Sequence, residues 1–332
     1  MKVVLVAAAL APATGCILPQ EGSLARYEYV ESHMATPCRI KFYAGSDELA
    51  ERAKAAAFAE LAAVDAAMSD YDPKSELSRL NAAAGTGPVK VSEPLYHVLS
   101  VGQIHSWLSD GAFDMTVGPV VRLWRQARQE RKLPSPEALK ATLELVGHRK
   151  LRLTLDAEGR KAVLDRPGML LDLGGIAKGY ACDRALAALR RVGVTRAMVD
   201  AGGGMALGDP PPGLKGWRIQ VADETSKVLI LANCGVATSG DWERFVEIDG
   251  VRYSHLVDPK TGLGLTNRAL ATVVAPDGIR ADALTKVISI GAVPRGMDIA
   301  EELPGTEAFL RWREGERLQS ARTSGFNALL QP

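Results

Sequence analysis

Residues 172–183 read Asp172-Leu-Gly-Gly-Ile-Ala-Lys-Gly-Tyr-Ala-Cys-Asp183. An apolar strand is predicted to lead into this segment and to end at Leu171 and Asp172, and the glycine pair then predicts a tight turn. A helix comes next and continues to about Arg191, with Gly193 just past its end. The first amides of a helix have no partner within it, so they can face an anion. A phosphate group bound there would have Lys178 beside it.

Neither glycine-rich segment of the chain matches a standard nucleotide-binding motif. The lysine of a P-loop follows a glycine and precedes serine or threonine, whereas Lys178 precedes Gly179. The glycines at 202, 204 and 208 miss the dinucleotide fingerprint by one residue. The helix N-terminus therefore remains the physical basis for binding an anion.

Outward from this segment, the apolar pattern predicts helices and strands in mixed order. Ser46 is an N-cap, and the helix that it opens carries its apolar residues on one face, namely Leu49, Ala53, Ala57, Leu61, Val64 and Met68. Further helices are predicted at 94–108, from Ser135 and Pro136 onward, at 279–290 and at 297–303. Strands are predicted at 36–44, 197–200, 217–222, 228–231, 252–257 and 272–275, with hairpins at 150–166 and 308–321. This order lacks the regular strand-helix rhythm of a doubly wound sheet, so it predicts an α+β fold.

Composition excludes several classes of protein. The 332 residues are 47% hydrophobic and 24% charged, which is typical of a globular protein with a substantial core. The net charge of +1 gives no global field that would draw the chain to nucleic acid or to an anionic membrane. Any anionic ligand must therefore be held by local groups.

The N-terminal residues differ from the rest. Lys2 is followed by an apolar run at 3–11, which is far shorter than the roughly 20 residues of a membrane-spanning helix. This pattern is typical of a signal peptide, and the small residues at 13–15 before Cys16 resemble a bacterial lipobox. We therefore expect a signal peptide at 1–15, a lipid anchor on Cys16, and an exported protein on a bacterial membrane, facing the periplasm. Ordinary cleavage nearby is the alternative.

Cysteine and histidine spacing does not predict a zinc site. The other cysteines, Cys38, Cys182 and Cys234, are far apart and belong to no CxxC or Cys/His cluster. They are expected to be buried, and the sequence neither places nor excludes a disulfide. His255 stands out because it lies where a strand breaks into a polar turn. Asp282 begins an apolar helix, either as a first-turn acid or as a metal-site or phosphate-site carboxylate.

Several blocks of the sequence resemble, in the same order, the signature blocks of ApbE-type flavin transferases. They are residues 34–36 (MAT), 68–81 (MSDYDPKSELSRLN), 113–119 (FDMTVGP), 172–183 (DLGGIAKGYACD), 236–240 (VATSG), 254–262 (SHLVDPKTG) and 281–284 (ADAL). Together they span roughly residues 30 to 300, nearly the whole mature chain. So many independent blocks in order make chance similarity implausible.

The resemblance implies a tunnelling-fold-like architecture of mixed and antiparallel sheets packed with helices. FAD would lie between two subregions of one domain at 31–322, with a spacer at 16–30 before it and a tail at 323–332 after it. The implied activity transfers FMN from FAD to a threonine or serine hydroxyl and releases AMP, by metal-assisted phosphoryl transfer. The implied partner is an acceptor flavoprotein subunit of a membrane redox complex, and no nucleic acid is expected.

The resemblance also assigns site residues. Those matching positions or blocks that line the flavin nucleotide are Met34, Tyr71, Ala112, Phe113, Asp114, Lys178, Thr238, Ser239 and Leu256. His255 is the candidate to take the proton of the incoming hydroxyl, because the unperturbed pKa of a histidine is near neutral. Mg²⁺ would be held by the carbonyl of Ala177, by the carboxylate of Asp282, which we also assign a catalytic role, and by a threonine four residues later. Such an ion would bridge and neutralise the pyrophosphate.

Two positions depart from the family pattern. Lys286 stands where the threonine ligand is expected, and Thr285 stands one residue earlier. Neighbouring helical residues point about 100° apart, so Thr285 substitutes as a ligand only if the helix is locally rewound. Lys286 either places an ammonium at the metal position or is solvated. Gly204 stands where the Ala-Gly-Gly block usually ends in aspartate, which predicts weaker magnesium binding.

Three hypotheses about the function arise from these features. The intact blocks, His255 and Asp282 favour an active transferase, with an FAD pyrophosphatase that releases FMN and AMP as the alternative within the family. The departures at Lys286 and Gly204 favour a non-catalytic FAD-binding lipoprotein. A general solute-binding lipoprotein has only the signal peptide in its favour.

Overall fold

The computed structural model describes residues 24–221, 227–240, 245–291, 293–315 and 317–331. The predicted signal peptide and Cys16 lie outside these residues, as does most of the spacer. Within the described ranges, no helix combines the length and the apolar character that crossing a membrane requires.

The described residues form an α+β fold, as predicted. The strands are β1 (Ala25–His33), β2 (Thr36–Ala44), β3 (Val89–Lys90), β4 (Leu151–Asp156), β5 (Gly159–Leu164), β6 (Ala197–Ala201), β7 (Gly204–Leu207), β8 (Trp217–Gln220), β9 (Val228–Leu231), β10 (Cys234–Gly240), β11 (Phe245–Ile248), β12 (Val251–Ser254), β13 (Leu270–Ala275), β14 (Glu307–Glu314), β15 (Arg317–Arg322) and β16 (Leu330–Gln331). The helices are α1 (Asp47–Met68), α2 (Glu76–Ala82), α3 (Glu93–Leu108), α4 (Gly118–Glu130), α5 (Pro136–Leu143), α6 (Ala177–Arg191), α7 (Gly278–Ile290), α8 (Val293–Glu302) and α9 (Phe326–Leu329), with a 3-10 turn at His148–Lys150.

The largest sheet has eight strands in the order β1-β2-β6-β7-β10-β13-β14-β15, and each neighbouring pair is antiparallel. Smaller sheets are formed by β16-β9-β8, by β3-β5-β4 and by β11-β12. The alternation of side chains along β13 buries both faces of the sheet. Val273 belongs to the main core, which includes residues of α1, α6 and α7, and Val274 belongs to a second core with Trp217 and Leu229 of β8 and β9.

Local signals predicted the starts of α1 and α5 correctly, whereas helices α2 and α4 were not predicted. The side chain of Ser46 accepts a hydrogen bond from the Leu49 amide at 3.2 Å, so it caps α1 as predicted. The predicted apolar face of α1 is buried from Ala53 to Met68, and Leu49 is partly buried. Ser135 caps α5 in the same way.

Several expectations were wrong at the edges of elements. The strand expected before Asp172 is reduced to a single bridge between Leu170 and Val117. The folded part begins before residue 31, because β1 starts at Ala25 and pairs along its whole length with β2. The expected tail at 323–332 is part of the fold, since Phe326 is buried and β16 pairs with β9. A hairpin with β2 decides the first of these ends, and long-range pairing of β16 with β9 decides the second.

The cysteines of the described region form no disulfide with one another. Cys38 and Cys182 are fully buried, as expected for small apolar residues, whereas Cys234 is half-buried.

Helices α6 and α7 approach each other closely. A Cβ atom on Gly179 would lie 2.1 Å from the carbonyl oxygen of Gly278, so only glycine fits at this crossing. The close approach brings Asp282 of α7 against the first turn of α6.

Candidate active site

One cavity of about 970 Å³ collects residues from most of the predicted motif blocks. This volume lies in the range of small-molecule sites. Its lining includes all nine residues assigned to the nucleotide, together with His255, Ala177 and Asp282. Thr285 does not line it, whereas Lys286 does.

Two tight hairpin turns form part of the wall. Met34 and Ala35 join β1 to β2 with φ angles of 52° and 54°, a left-handed conformation that residues with a side chain seldom adopt. The amide of Met34 donates to Asp65 Oδ2 at 2.7 Å, which ties this turn to α1. Non-glycine residues held in this way often mark functional sites.

The second turn explains the other glycine-rich segment. Gly202 and Gly203 join β6 to β7 with φ angles of 66° and 101°, as a two-residue turn between antiparallel strands requires. A Cβ atom on Gly202 would lie 2.3 Å from Thr36 Oγ1. These glycines therefore serve hairpin geometry and close packing beside the cavity, in keeping with the failure of the dinucleotide motif.

The N-terminus of α6 opens onto the cavity without a capping side chain. Asp172 Oδ1 accepts the Gly174 amide at 2.8 Å and shapes the turn before the helix. Lys178 Nζ donates to the Gly174 carbonyl at 3.1 Å, which keeps its ammonium beside the helix start. The anion site predicted from sequence thus has both of its parts, a helix N-terminus and an adjacent lysine.

Asp282 and Lys286 form a buried ion pair beside this helix start. Lys286 Nζ donates to Asp282 Oδ1 and, at 3.2 Å, to the backbone carbonyl of Asp282. The side chains of Asp282 and Lys286 are only 3% and 11% exposed, respectively. Burial alone would raise the pKa of Asp282, but the ammonium groups of Lys286 and Lys178 outweigh it and hold that pKa below its ordinary value. Burial lowers the pKa of Lys286, and the Asp282 carboxylate offsets part of that effect.

The residues present do not fit the magnesium site that the family resemblance implied. Both oxygens of Asp282 are engaged, Oδ1 by the Lys286 ammonium and Oδ2 by the Gly179 amide at 3.1 Å. Thr285, the doubtful alternative ligand, does not reach the site, because its buried hydroxyl donates to the Asp282 carbonyl at 2.7 Å and stays outside the cavity. Gly204 offers no side chain. A positively charged amine also disfavours a cation beside it. Across the described residues, no three acidic, histidine or cysteine side chains are grouped as a metal cluster.

His255 lies on a well-anchored loop that lines the cavity. The strand predicted to reach residue 257 ends earlier, with β12 at Ser254. Ser254 organises this loop, because its hydroxyl accepts the Leu256 amide at 3.0 Å and its carbonyl accepts Trp124 Nε1 at 3.1 Å. The Leu265 amide donates to the Leu256 carbonyl at 2.9 Å. Helix α4, through Trp124, therefore fixes the loop that presents His255.

Two of the predicted nucleotide residues direct their polar groups into the protein. Asp114 Oδ1 accepts both the amide and the hydroxyl of Thr116, at 2.8 and 2.7 Å, and burial raises the pKa of Asp114. Thr238 Oγ1 lies 3.0 Å from Thr272 Oγ1, across neighbouring strands. Both residues line the cavity, but their polar atoms bind other side chains of the protein, so they support the cavity wall.

Sequence reasoning missed a polar rim that depends on α4. Arg125 binds Asp70 Oδ2 at 2.6 Å and Asp172 Oδ2 at 3.3 Å, and its guanidinium lies 4.7 Å from the ring centre of Tyr71. Tyr71 is 75% exposed. Arg128 also lines the cavity, and its buried Nε has no hydrogen-bond acceptor among the described residues. The signal for both arginines was their spacing of three residues, which is about one helical turn.

The comparisons with known proteins agree with this geometry. The model of the ApbE family matches residues 34–310. The chain therefore belongs to the ApbE family.

Individual relatives and solved structures cover most of the chain. An FAD:protein FMN transferase of Klebsiella pneumoniae (strain 342) is 33% identical over 81% of this chain and 84% of its own length. Another from Treponema pallidum is 32% identical over 89% and 88%. The flavin transferase ApbE from Vibrio cholerae superposes with a TM-score of 0.82 at 28% identity and covers 92% of this chain and 99% of its own. The apo flavinyl transferase ApbE of Pseudomonas stutzeri gives 0.80 at 29% identity, with 92% and 97% covered.

Proposed function

We propose that this chain is an FAD:protein FMN transferase that acts on a threonine or serine hydroxyl of a target membrane redox protein. The observation that carries the proposal is the single cavity in which the predicted nucleotide residues, the helix start with Lys178, and His255 meet. Relatives bearing this activity in their names match the chain over most of its length.

The reaction exchanges one phosphate ester for another. The acceptor hydroxyl oxygen attacks the phosphorus of the FMN half of FAD and forms a new P–O bond. The P–O bond to the AMP half breaks, and AMP leaves with the electron pair. His255 takes the hydroxyl proton as the general base, since a histidine can change charge near neutral pH. The anchored loop holds this imidazole at the cavity, so little ordering is left for the moment of reaction.

The charge of the pyrophosphate needs compensation in this reaction. The helix start of α6 and the ammonium of Lys178 lie on one wall of the cavity and supply positive charge. Magnesium takes no step in this proposal, because Asp282 is occupied by Lys286 and Thr285 turns away.

The experiment is an incubation of the protein with FAD and a tagged threonine-bearing domain of a membrane redox subunit. AMP is followed by chromatography, and the acceptor is followed by mass. AMP together with acceptor that gains one FMN is the expected result. AMP with free FMN would instead identify a pyrophosphatase, and bound FAD with neither product would identify a flavin-binding relative.

A matched variant tests the base. His255→Gln keeps a polar side chain of similar reach but removes the titrating group. We expect it to bind FAD with little change and to lose about 10² to 10⁴-fold in transfer rate. Unchanged transfer would remove His255 from the mechanism.

We further propose that the chain is exported and held at a bacterial membrane by lipid on Cys16, which brings it to acceptor subunits in the same membrane. The small residues before Cys16 support this. Cys16→Ala should move the protein from the membrane fraction to the soluble fraction, whereas a variant that stays with the membrane would contradict the anchor. Mass analysis of the membrane form checks the acyl chains directly.

A further inference from the structure

The ammonium of Lys286 is a fixed positive charge inside the cavity. It is held by two acceptors of Asp282, the carboxylate and the backbone carbonyl. Lys286 is 9% exposed, and it contributes to the cavity lining. A lysine this buried is rare unless a partner holds it, and Asp282 is that partner here.

We infer that Lys286 replaces a divalent cation as the charge that neutralises the FAD pyrophosphate, so that this chain binds FAD and transfers FMN without metal. The inference rests on the proposed transferase function. An ammonium is a compact point charge with three donors, and lysines bind phosphate groups in this way in other sites. Asp282 then acts as a positioning residue that orients the ammonium.

The local balance of charge supports the inference. Lys178 and Lys286 both act on Asp282 through their charges, so two ammonium groups act on the one carboxylate of Asp282. Lys178 also acts on Asp172, a carboxylate that Arg125 contacts at 3.3 Å. A pyrophosphate placed there would meet net attraction without any added ion.

Gly204 contributes to this balance by lacking a side chain. It lines the cavity, and a Cβ atom on it would meet only ordinary contacts, 3.6 Å from the Gly179 nitrogen and 3.8 Å from the Gly179 Cα. The first atom of a side chain would therefore fit. An aspartate there would add a second negative charge near Lys178 and cancel the positive excess, so glycine at 204 and lysine at 286 act in the same direction.

The decisive experiment uses the wild-type protein. The Kd for FAD and the rate of AMP release in a single turnover are measured after EDTA treatment and again with added Mg²⁺. We expect both values to agree within about twofold, because no step waits for an ion. A loss of about tenfold or more in EDTA that Mg²⁺ restores would overturn the inference.

Substitutions of Lys286 test whether its charge contributes to FAD binding. Lys286→Met should raise the Kd for FAD in EDTA by about tenfold or more, whereas Lys286→Arg, which keeps a charge, should retain more of the affinity. Lys140→Met is the matched control, because Lys140 is an exposed lysine of α5 outside the cavity, and it should change nothing. Equal affinity in the Lys286→Met variant and the control would remove Lys286 from the pyrophosphate site.

A double variant that restores the family residues should regain dependence on Mg²⁺. The double variant Gly204→Asp with Lys286→Thr restores the family residues at both positions. We expect it to bind FAD weakly in EDTA and to gain affinity with Mg²⁺, measured by flavin fluorescence. A double variant that binds FAD as tightly as wild type in EDTA would contradict the role of Lys286.

The binding data separate the two proposals. Metal-independent FAD binding without AMP release would support the role of Lys286 in binding the pyrophosphate and would contradict the transferase proposal. AMP release and flavinylation that require Mg²⁺ would support the transferase and overturn the role of Lys286 as the replacement for a metal ion.

Discussion

Two cation-carboxylate contacts stand at opposite levels of the same cavity. At the rim, Arg125 contacts Asp70 and Asp172 with its side chain 37% exposed. Lys286 and Asp282 form the buried part of the lining, which we call the floor, and their side chains are 11% and 3% exposed. The chemistry is alike, but solvent reaches Arg125 and Asp70, whose side chains are 37% and 27% exposed, and is nearly excluded from Lys286 and Asp282. Asp172, at 15%, lies between the two.

The difference in exposure predicts how much each charge pair contributes to the stability of the protein. An exposed pair contributes little to stability, typically up to about 1 kcal/mol, whereas removing one partner of a buried pair leaves an uncompensated charge. The floor should therefore be intolerant of substitution, and the rim should tolerate it.

Asp282→Ala should lower the free energy of unfolding by about 3 to 5 kcal/mol, because it leaves the Lys286 ammonium buried without its carboxylate. AMP release should be abolished, while FAD binding should only weaken. Urea denaturation and a single-turnover assay measure the two effects. A control is Asp282→Asn combined with Lys286→Met, which removes both charges and should recover most of the stability. Unchanged turnover in Asp282→Ala would remove Asp282 from the mechanism.

Asp183 provides a half-buried carboxylate that accepts backbone amides, and its pKa moves the other way. It accepts the amides of Gly278 and Ile279 at 2.7 and 2.9 Å, yet burial raises its pKa from 3.8 to about 7. As the pH rises, the unfolded chain loses this proton first, so the folded state loses stability until the pH passes about 7. The stability that Asp282 contributes, through its lowered pKa, instead fades as the pH falls below the unfolded value.

The test compares wild type with Asp183→Asn, which cannot titrate. Between pH 4 and 7 the wild-type free energy of unfolding should fall relative to the variant by roughly 4 kcal/mol, and it should stay level above that window. Unfolding curves at a series of pH values measure the difference. Parallel pH profiles would show that Asp183 ionises normally and would weaken the contrast with Asp282.

Arg125→Gln should have the smallest effect on folding, about 1 kcal/mol or less, because the rim is partly in solvent. It should raise the KM for FAD by a few-fold and leave kcat nearly unchanged, since Arg125 supports the exposed ring of Tyr71 at the cavity mouth. Steady-state kinetics and thermal unfolding check both statements. A large fall in kcat would mean that the rim takes part in the chemistry, and the distinction between rim and floor would fail.

The amino-acid sequence determined the parts of this protein that depend on local patterns. Ser46 and Ser135 predicted helix starts because a cap acts within one turn, and the apolar spacing of α1 predicted its buried face. The motif blocks also gave the family and twelve residues that line the cavity, because each block is recognisable from neighbouring residues along the chain.

Tertiary structure alone decided the rest. Strand β1 pairs with β2, strand β16 pairs with β9, and Arg125 joins α4 to Asp172, so these contacts connect different elements. The burial of Lys286 against Asp282 depends on how α7 packs against α6. The sequence showed that Lys286 and Thr285 point in different directions but not which one lines the cavity, because that depends on how closely α7 packs on α6. Long-range packing sets the environment of a charge, and the environment decides what that charge does.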